Sequence, residues 1–223
     1  MKKEDFFDQL KYQNLKIFSI HDAARIFGKS EKYVSNRLST MQHIKRIKKG
    51  VYYLDDVEIS EIASHVVSPS YISLISAFYL HGLTTQIPAE IQVVSPVQHR
   101  AISIAQNRIV FIRFRKDRIF GFERSDLGMI ATIEKAIIDS LYLNTFIGEV
   151  EEVLKNKDGV NFERLTEYGM RMQSGAIINR LGHLLEKFGY NCEKLKVFRS
   201  QRYVNYGGKG QFKDIRWRVT YAK

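Results

Sequence analysis

Lys32, Tyr33, Ser35, Asn36, Arg37 and Ser39 sit close together near the start of the chain, and on a helix they make a surface able to read DNA. Asparagine pairs in bidentate fashion with adenine N6 and N7, lysine with guanine O6 and N7, and serine with several base edges, so such a face can discriminate sequence in a major groove. Val34, Leu38 and Met41 fall at i, i+4 and i+7 and share one apolar stripe. At about 100° per residue Lys32, Asn36 and Ser39 lie away from that stripe, with Tyr33, Ser35 and Arg37 on the flanks. The next residues, Ile44-Lys-Arg-Ile-Lys-Lys-Gly-Val-Tyr-Tyr-Leu54, interleave apolar and basic side chains around Gly50. Lys45, Arg46, Lys48 and Lys49 there suit the sugar-phosphate backbone, which positions a protein without reporting sequence. Residues 29 to 49 hold Lys29, Lys32, Arg37, Lys45, Arg46, Lys48 and Lys49 against the acid Glu31, the footprint expected of phosphate neutralisation. The plainer alternative is a small helical hairpin with a solvated polar face.

A rigid frame must hold these groups. Ala24, Gly28 and Val34 give a small residue between two helices, a turn glycine able to take positive φ, and an apolar anchor on the second helix. Ser30 is a good N-cap for that second helix, expected to run to about Gln42. Phe6, Phe7 and Leu10 in Lys2 to Gln13 predict an earlier helix, and Asp55 to Val66 a short helix or arm. Together these predict a winged helix-turn-helix over residues 1–66, the basic hairpin being the wing. Ser68-Pro69-Ser70 marks a break. Beyond it the pattern predicts a mixed α/β region over 67–148, then a segment of helices and a β-hairpin over 149–223, giving an α+β chain. In the middle region the expectations are an apolar helix over Tyr71 to Leu83, strands over Glu90 to Ser95, Arg108 to Arg115, Ile119 to Phe122 and Met129 to Ala131, and a helix Ile133 to Leu143 capped by Thr132. The last segment should hold helices over Asn161 to Met172 and Ser174 to Phe188. Strand-like stretches Lys194 to Tyr206 and Asp214 to Tyr221 follow, joined by Gly207-Gly208-Lys209-Gly210. That loop lacks Walker spacing and a following Ser or Thr, so it is expected to be a hairpin turn.

Catalytic chemistry finds little footing. The six histidines are scattered, and carboxylates do not cluster at metal-ligand spacing. Glu134 and Asp139 are five apart and face different sides of their helix, Glu134 being accounted for by the helix dipole. His81 beside Gly82 fits a helix C-terminal cap. Glu90-Ile-Gln92 faintly resembles a nuclease strand, but glutamine stands where a lysine is expected. Cys192 is the lone cysteine, which excludes a disulfide framework within one chain and fits a buried, inert thiol. No catalytic residue, metal site or cofactor is expected. A chain of 223 residues, 44% hydrophobic, can bury a real core, and its net charge of +11 suits a nucleic-acid partner. Without a run of 18 apolar residues or a signal peptide, the expectation is a soluble cytoplasmic protein with no membrane partner.

Pro69-Ser-Tyr-Ile-Ser-Leu-Ile-Ser-Ala-Phe-Tyr-Leu-His-Gly-Leu-Thr84, then Gln86-Ile-Pro-Ala-Glu-Ile-Gln-Val-Val94, Phe120-Gly-Phe122 and Ala131-Thr-Ile-Glu-Lys-Ala-Ile-Ile-Asp-Ser-Leu-Tyr-Leu143 resemble, in order and spacing, the AbiEi family of antitoxins and transcriptional regulators from type IV toxin-antitoxin phage-defence systems. The resemblance spans about residues 15 to 145, and Asp214-Ile-Arg-Trp217 resembles the family's closing strand. Ile133 departs from the proline many relatives carry. The resemblance implies a winged-helix domain that represses its own operon at inverted repeats in double-stranded DNA, and a C-terminal part that counteracts a nucleotidyltransferase-like toxin without requiring a stable complex. The residues alone leave two other readings open: a nuclease targeted by its winged helix, and a stand-alone regulator. Two further basic surfaces stand out. Arg113 and Arg115 alternate with Ile112 and Phe114, and from Lys194 onward nine Lys or Arg, Lys209 and Lys213 among them, meet one acid, Asp214. Each is either a solvated face, an extension of the DNA footprint, or an attraction for the RNA or nucleotide the toxin handles.

Overall fold

The computed structural model describes residues 3–156, 159–208 and 210–222. The chain is α+β, as the pattern of elements predicts. Helix α1 (Lys3–Tyr12) turns Phe6 and Leu10 fully inward. Strand β1 (Ile17–Ser19) follows, then α2 (Ile20–Phe27), α3 (Glu31–Leu38), β2 (Ile44–Lys48) and β3 (Val51–Leu54). The three strands form one sheet in the order β1-β3-β2. Phe6, Phe18, Ala23, Val34, Leu38, Met41 and Tyr52 close the core of this N-terminal unit, with Phe6 stacked on Phe27 at 4.4 Å. Strand β1 was not foreseen, because three residues carry too short a pattern.

Helix α4 (Ile59–His65) precedes the Ser68-Pro69-Ser70 break, yet it packs on strands that follow it. Those are β4 (Tyr71–Ile72), then, after α5 (Leu74–Leu80), β5 (Ile91–Ser95), β6 (Ile102–Ile104), β7 (Asn107–Arg113), β8 (Phe122–Ser125) and β9 (Gly128–Ala131). They make one mixed sheet in the order β6-β7-β5-β4-β9-β8. The apolar run 71–83 is therefore not one helix. Tyr71 and Ile72 are interior strand between β5 and β9, where both faces are covered, and a fully buried strand looks like a buried helix when read from hydrophobicity alone. A 3₁₀ turn, Lys116–Arg118, occupies the approach to β8, so strand does not begin until Phe122.

Helix α4 covers one face of this sheet and α5 with α6 (Ile133–Leu143) the other. Helix α6 has the expected bounds: the Thr132 hydroxyl accepts the Lys135 N–H at 3.3 Å, and Asn144 in left-handed conformation closes its end. Beyond it pack α7 (Ile147–Asn156), α8 (Phe162–Arg171) and α9 (Gly175–Lys187). The apolar cluster here draws on residues from Tyr71 to Val219, on both sides of position 148.

The last segment corrects the sequence reading. Glu193–Phe198 is 3₁₀ helix, and the strands are β10 (Val204–Tyr206), β11 (Phe212–Asp214) and β12 (Val219–Tyr221). Their order is β10-β12-β11, with β10 parallel to β12. The glycine-rich loop thus joins two strands that are not neighbours, and is no hairpin turn. Trp217 lies fully buried against Gly182 of α9, where any side chain would collide with the indole. Among the described residues no helix is long and apolar enough to cross a membrane.

Candidate nucleic-acid interface

Helix α3 is fixed from both ends. At the start of α2 the Ser19 hydroxyl accepts the Asp22 N–H at 3.1 Å while the Asp22 carboxylate takes the Ser19 N–H at 3.0 Å, satisfying two otherwise orphaned donors. Gly28, at φ 62, ends α2 and lets the chain turn sharply into α3. Ser30 occupies the N-cap of α3 in extended conformation, without a side-chain cap bond. His21 and Glu31 lie 2.7 Å apart and tie the starts of the two helices. The small residue buried at the helix contact is Ala23, with Ala24 half-buried beside it.

The capping box yields one expected result. Hydrogen bonding from Ser19 holds the Asp22 carboxyl below its ordinary 3.8, so its contribution is present above that value and is lost as pH falls through the lowered one. Ser19→Ala should cost about 0.5–2 kcal/mol and weaken that acid dependence, leaving the part due to the Ser19 backbone N–H and Arg25, read from urea titrations at several pH values. An unchanged acid limb would show that the pair is idle.

Helix α3 stops at Leu38, short of the expected Gln42. The Ser39 and Thr40 hydroxyls each donate at 2.8 Å to the Asn36 and Arg37 carbonyls, competing with further helical bonds. Met41 nonetheless stays buried under Val34 and Leu38. On the other side Lys32, Tyr33, Asn36 and Arg37 are exposed, Tyr33 to 54%. Ser35 is half-buried with its hydroxyl 3.3 Å from the Tyr52 hydroxyl, which anchors α3 to the sheet. Ser39 is exposed, but its hydroxyl is engaged with its own backbone.

In the β2-β3 hairpin the turn is Lys49-Gly50, with Gly50 at φ 79 and a register shift between Arg46 and Lys48. Lys45, Arg46 and Lys49 are exposed. Lys48 is not free at the tip: it is half-buried and donates to the Val66 carbonyl at 2.7 Å. Among the described residues Lys29, Lys32, Arg37, Lys45, Arg46 and Lys49 make no ion pair, so their charge faces solvent.

The second basic residues divide between two places. Arg113 ends β7, and with Arg115, Lys116, Pro96 and Tyr142 it lines a shallow cleft of ≈ 570 Å³ in which Arg115 pairs with Asp117 at 3.0 Å. Lys213 is exposed on β11, in the other sheet, and Lys209 lies outside the described residues.

The candidate acids serve local structure. Glu90 pairs with Arg108 at 2.8 Å; Glu134, nearly buried, accepts the Asn161 N–H at 2.8 Å. His81 closes α5 as its C-cap, its backbone N–H bonding the Ala77 carbonyl at 2.9 Å, and its ring also hydrogen-bonds the Ala131 carbonyl at 2.8 Å, holding α5 to β9. Burial pushes the Cys192 thiol up. Among the described residues no group of His, Cys, Asp or Glu could hold a metal ion.

Sequence reasoning missed a buried ionic cluster. Lys135 and Asp139 form a fully buried ion pair along α6, and Asp139 also accepts from Tyr71 at 3.1 Å and Ser73 at 2.8 Å. The ammonium sits 4.6 Å from the Phe120 ring centre, 5.4 Å from Phe114 and 5.5 Å from Tyr71. Burial pushes the lysine down and the aspartate up, and their mutual attraction opposes both. The i, i+4 spacing of the two on an apolar helix was the available signal.

No protein-family model matches the chain, and no curated protein matches it in sequence. The solved structure of the RV2827C protein from Mycobacterium tuberculosis resembles it with a TM-score of 0.63 at 13% identity, over 98% of this chain and 90% of that one. The likeness is one of fold.

Proposed function

We propose that the chain is a sequence-specific DNA-binding antitoxin that represses its own operon at inverted repeats and counteracts a nucleotidyltransferase-like toxin, with no catalytic activity or cofactor of its own. In this reading residues 1–66 are a winged helix-turn-helix acting in the cytoplasm, with α3 in the major groove and the β2-β3 hairpin as its wing. One observation carries it: an exposed face of Lys32, Tyr33, Asn36 and Arg37 accompanies exposed Lys45, Arg46 and Lys49, which make no ion pair among the described residues. The antitoxin part rests on the AbiEi-like blocks of residues 69–143 and is tested by an adjacent reading frame with a nucleotidyltransferase Gly-Ser and paired-Asp signature.

Within this reading, engaged side chains leave fewer candidates for base contact. With Ser35 and Ser39 engaged internally, base contacts fall to Lys32, Asn36 and Arg37. Asn36→Ala should cost about 1–3 kcal/mol on the operator and little on random DNA, since a bidentate base contact discriminates and a phosphate contact does not. Binding titrations on both duplexes decide it. Equal loss on both would move the reading role to Lys32 and Arg37.

A further inference from the structure

The three-stranded sheet near the end of the chain has two unlike faces. Strand register sets Val204, Tyr206, Val219 and Tyr221 on one side, and His183 of α9 meets the Tyr206 and Tyr221 rings at 4.9 and 5.0 Å, so that side is packed inward. Asn205, Thr220 and Lys213 are opposite one another in the register and share the other side. Asn205 and Lys213 are exposed there, and Thr220 donates to Asn205 at 2.7 Å. Tyr203, 47% exposed, joins them: the Lys213 ammonium lies 5.7 Å from its ring centre. Arg202 beside it is exposed as well.

Charge on this side is one-signed. Asp214, the one acid after Lys194, is on the inward side, bound to His183 at 2.7 Å and to the Trp217 N–H at 3.0 Å. Arg216 is committed to Glu186 and Glu193. Among the described residues Arg202 and Lys213 have no carboxylate partner. A half-exposed aromatic ring with a lysine ammonium over one side, on a strand face that also offers an amide and a hydroxyl, combines base stacking, phosphate attraction and partners for a 2′-hydroxyl. Duplex DNA hides its base faces and would leave Tyr203 unused. A protein partner would need a matching acidic surface, but no such surface would require an open ring on a strand face.

We propose that this outer face, with Tyr203 as its stacking platform and Lys213 as its phosphate contact, binds single-stranded RNA, exposed Arg202 adding charge at its edge. The site is independent of the DNA-reading helix and of the antitoxin assignment.

The test uses the full chain and a fluorescein-labelled oligouridylate of about a dozen nucleotides, with the deoxy oligomer as comparison. Tyr203→Ala should weaken RNA binding about tenfold or more, Tyr203→Phe should restore it, and Lys213→Glu should weaken it and flatten its salt dependence. Lys45→Ala/Lys49→Ala, in the N-terminal hairpin, should leave RNA affinity within about twofold while lowering duplex DNA affinity. Photocrosslinking with a 4-thiouridine oligomer should mark the peptide containing Tyr203, and thermal melts check that each variant folds. Unchanged RNA affinity in Tyr203→Ala, deoxy and ribo oligomers binding alike, or crosslinks confined to residues 32–49 would each overturn the proposal.

Discussion

Lys135→Met should destabilise the chain by about 3–5 kcal/mol, because it leaves the Asp139 carboxylate buried without its counter-charge. Both side chains are fully buried, and the pair joins α6 to Tyr71 of β4 and to Ser73 at the start of α5. Mutation of either ion alone should cost about the same. Replacing both, as Lys135→Met with Asp139→Leu, removes two desolvated charges and is often close to neutral. Here it also strips the Tyr71 and Ser73 hydroxyls of their acceptor, at about 1–3 kcal/mol for each buried group left unpaired, so the double variant should recover only part of the loss. Urea unfolding of the four proteins measures this directly as a double-mutant cycle. If the single variants lose less than about 1 kcal/mol, solvent reaches the pair and its burial is not what holds α6 on the sheet.

The second large effect concerns DNA. Lys45→Ala, Arg46→Ala and Lys49→Ala together should flatten the slope of log K against log salt by about 2.7, at about 0.9 per lost phosphate contact. At about 1.5 kcal/mol for each charge-assisted contact the same variant should bind operator and random duplex on the order of a thousandfold more weakly. Loss on both follows from phosphate contacts carrying no sequence information. Lys48 is left in place because its ammonium holds the Val66 carbonyl, and its removal would confuse a structural loss with a lost contact. A slope that stays put would take the hairpin out of the interface.

The sequence was legible where one local signal decides one element. Thr132 begins α6, Asn144 closes it, and Ile137, Ile138 and Leu141 turn inward as their spacing demands. Val34, Leu38 and Met41 likewise face the core. It was illegible where distant parts decide. Tyr71 and Ile72 are strand because β5 and β9 flank them, and their own residues suit a helix equally well. Glu134 looked like a dipole charge until Asn161, far along the chain, supplied the N–H it accepts. Lys135 and Asp139 could be seen as neighbours on one helix face, but the aromatic rings that seal them come from Tyr71, Phe114 and Phe120. Of the candidate interface residues, exposure followed the helical wheel. The engagement of Ser39 with its own backbone and of Lys48 with Val66 depended on where α3 ends and where α4 packs.

Under the proposed function, that last contact bears on how two copies would meet an operator. Ile17, Ile47, Tyr53 and Leu54 of the N-terminal unit share an apolar cluster with Ile72, Val93, Ile109 and Phe111 of the six-stranded sheet, and the Lys48 bond pins the hairpin to the end of α4. Each N-terminal unit is therefore clamped to its body and does not swing on a tether. An extra base pair between half-sites turns one of them by about 35° around the duplex axis, a misphasing that floppy arms absorb and clamped heads pass on to the DNA as torsion. Operators for this chain should accordingly be intolerant of spacer length, with single-base-pair insertions more damaging than many single-base changes.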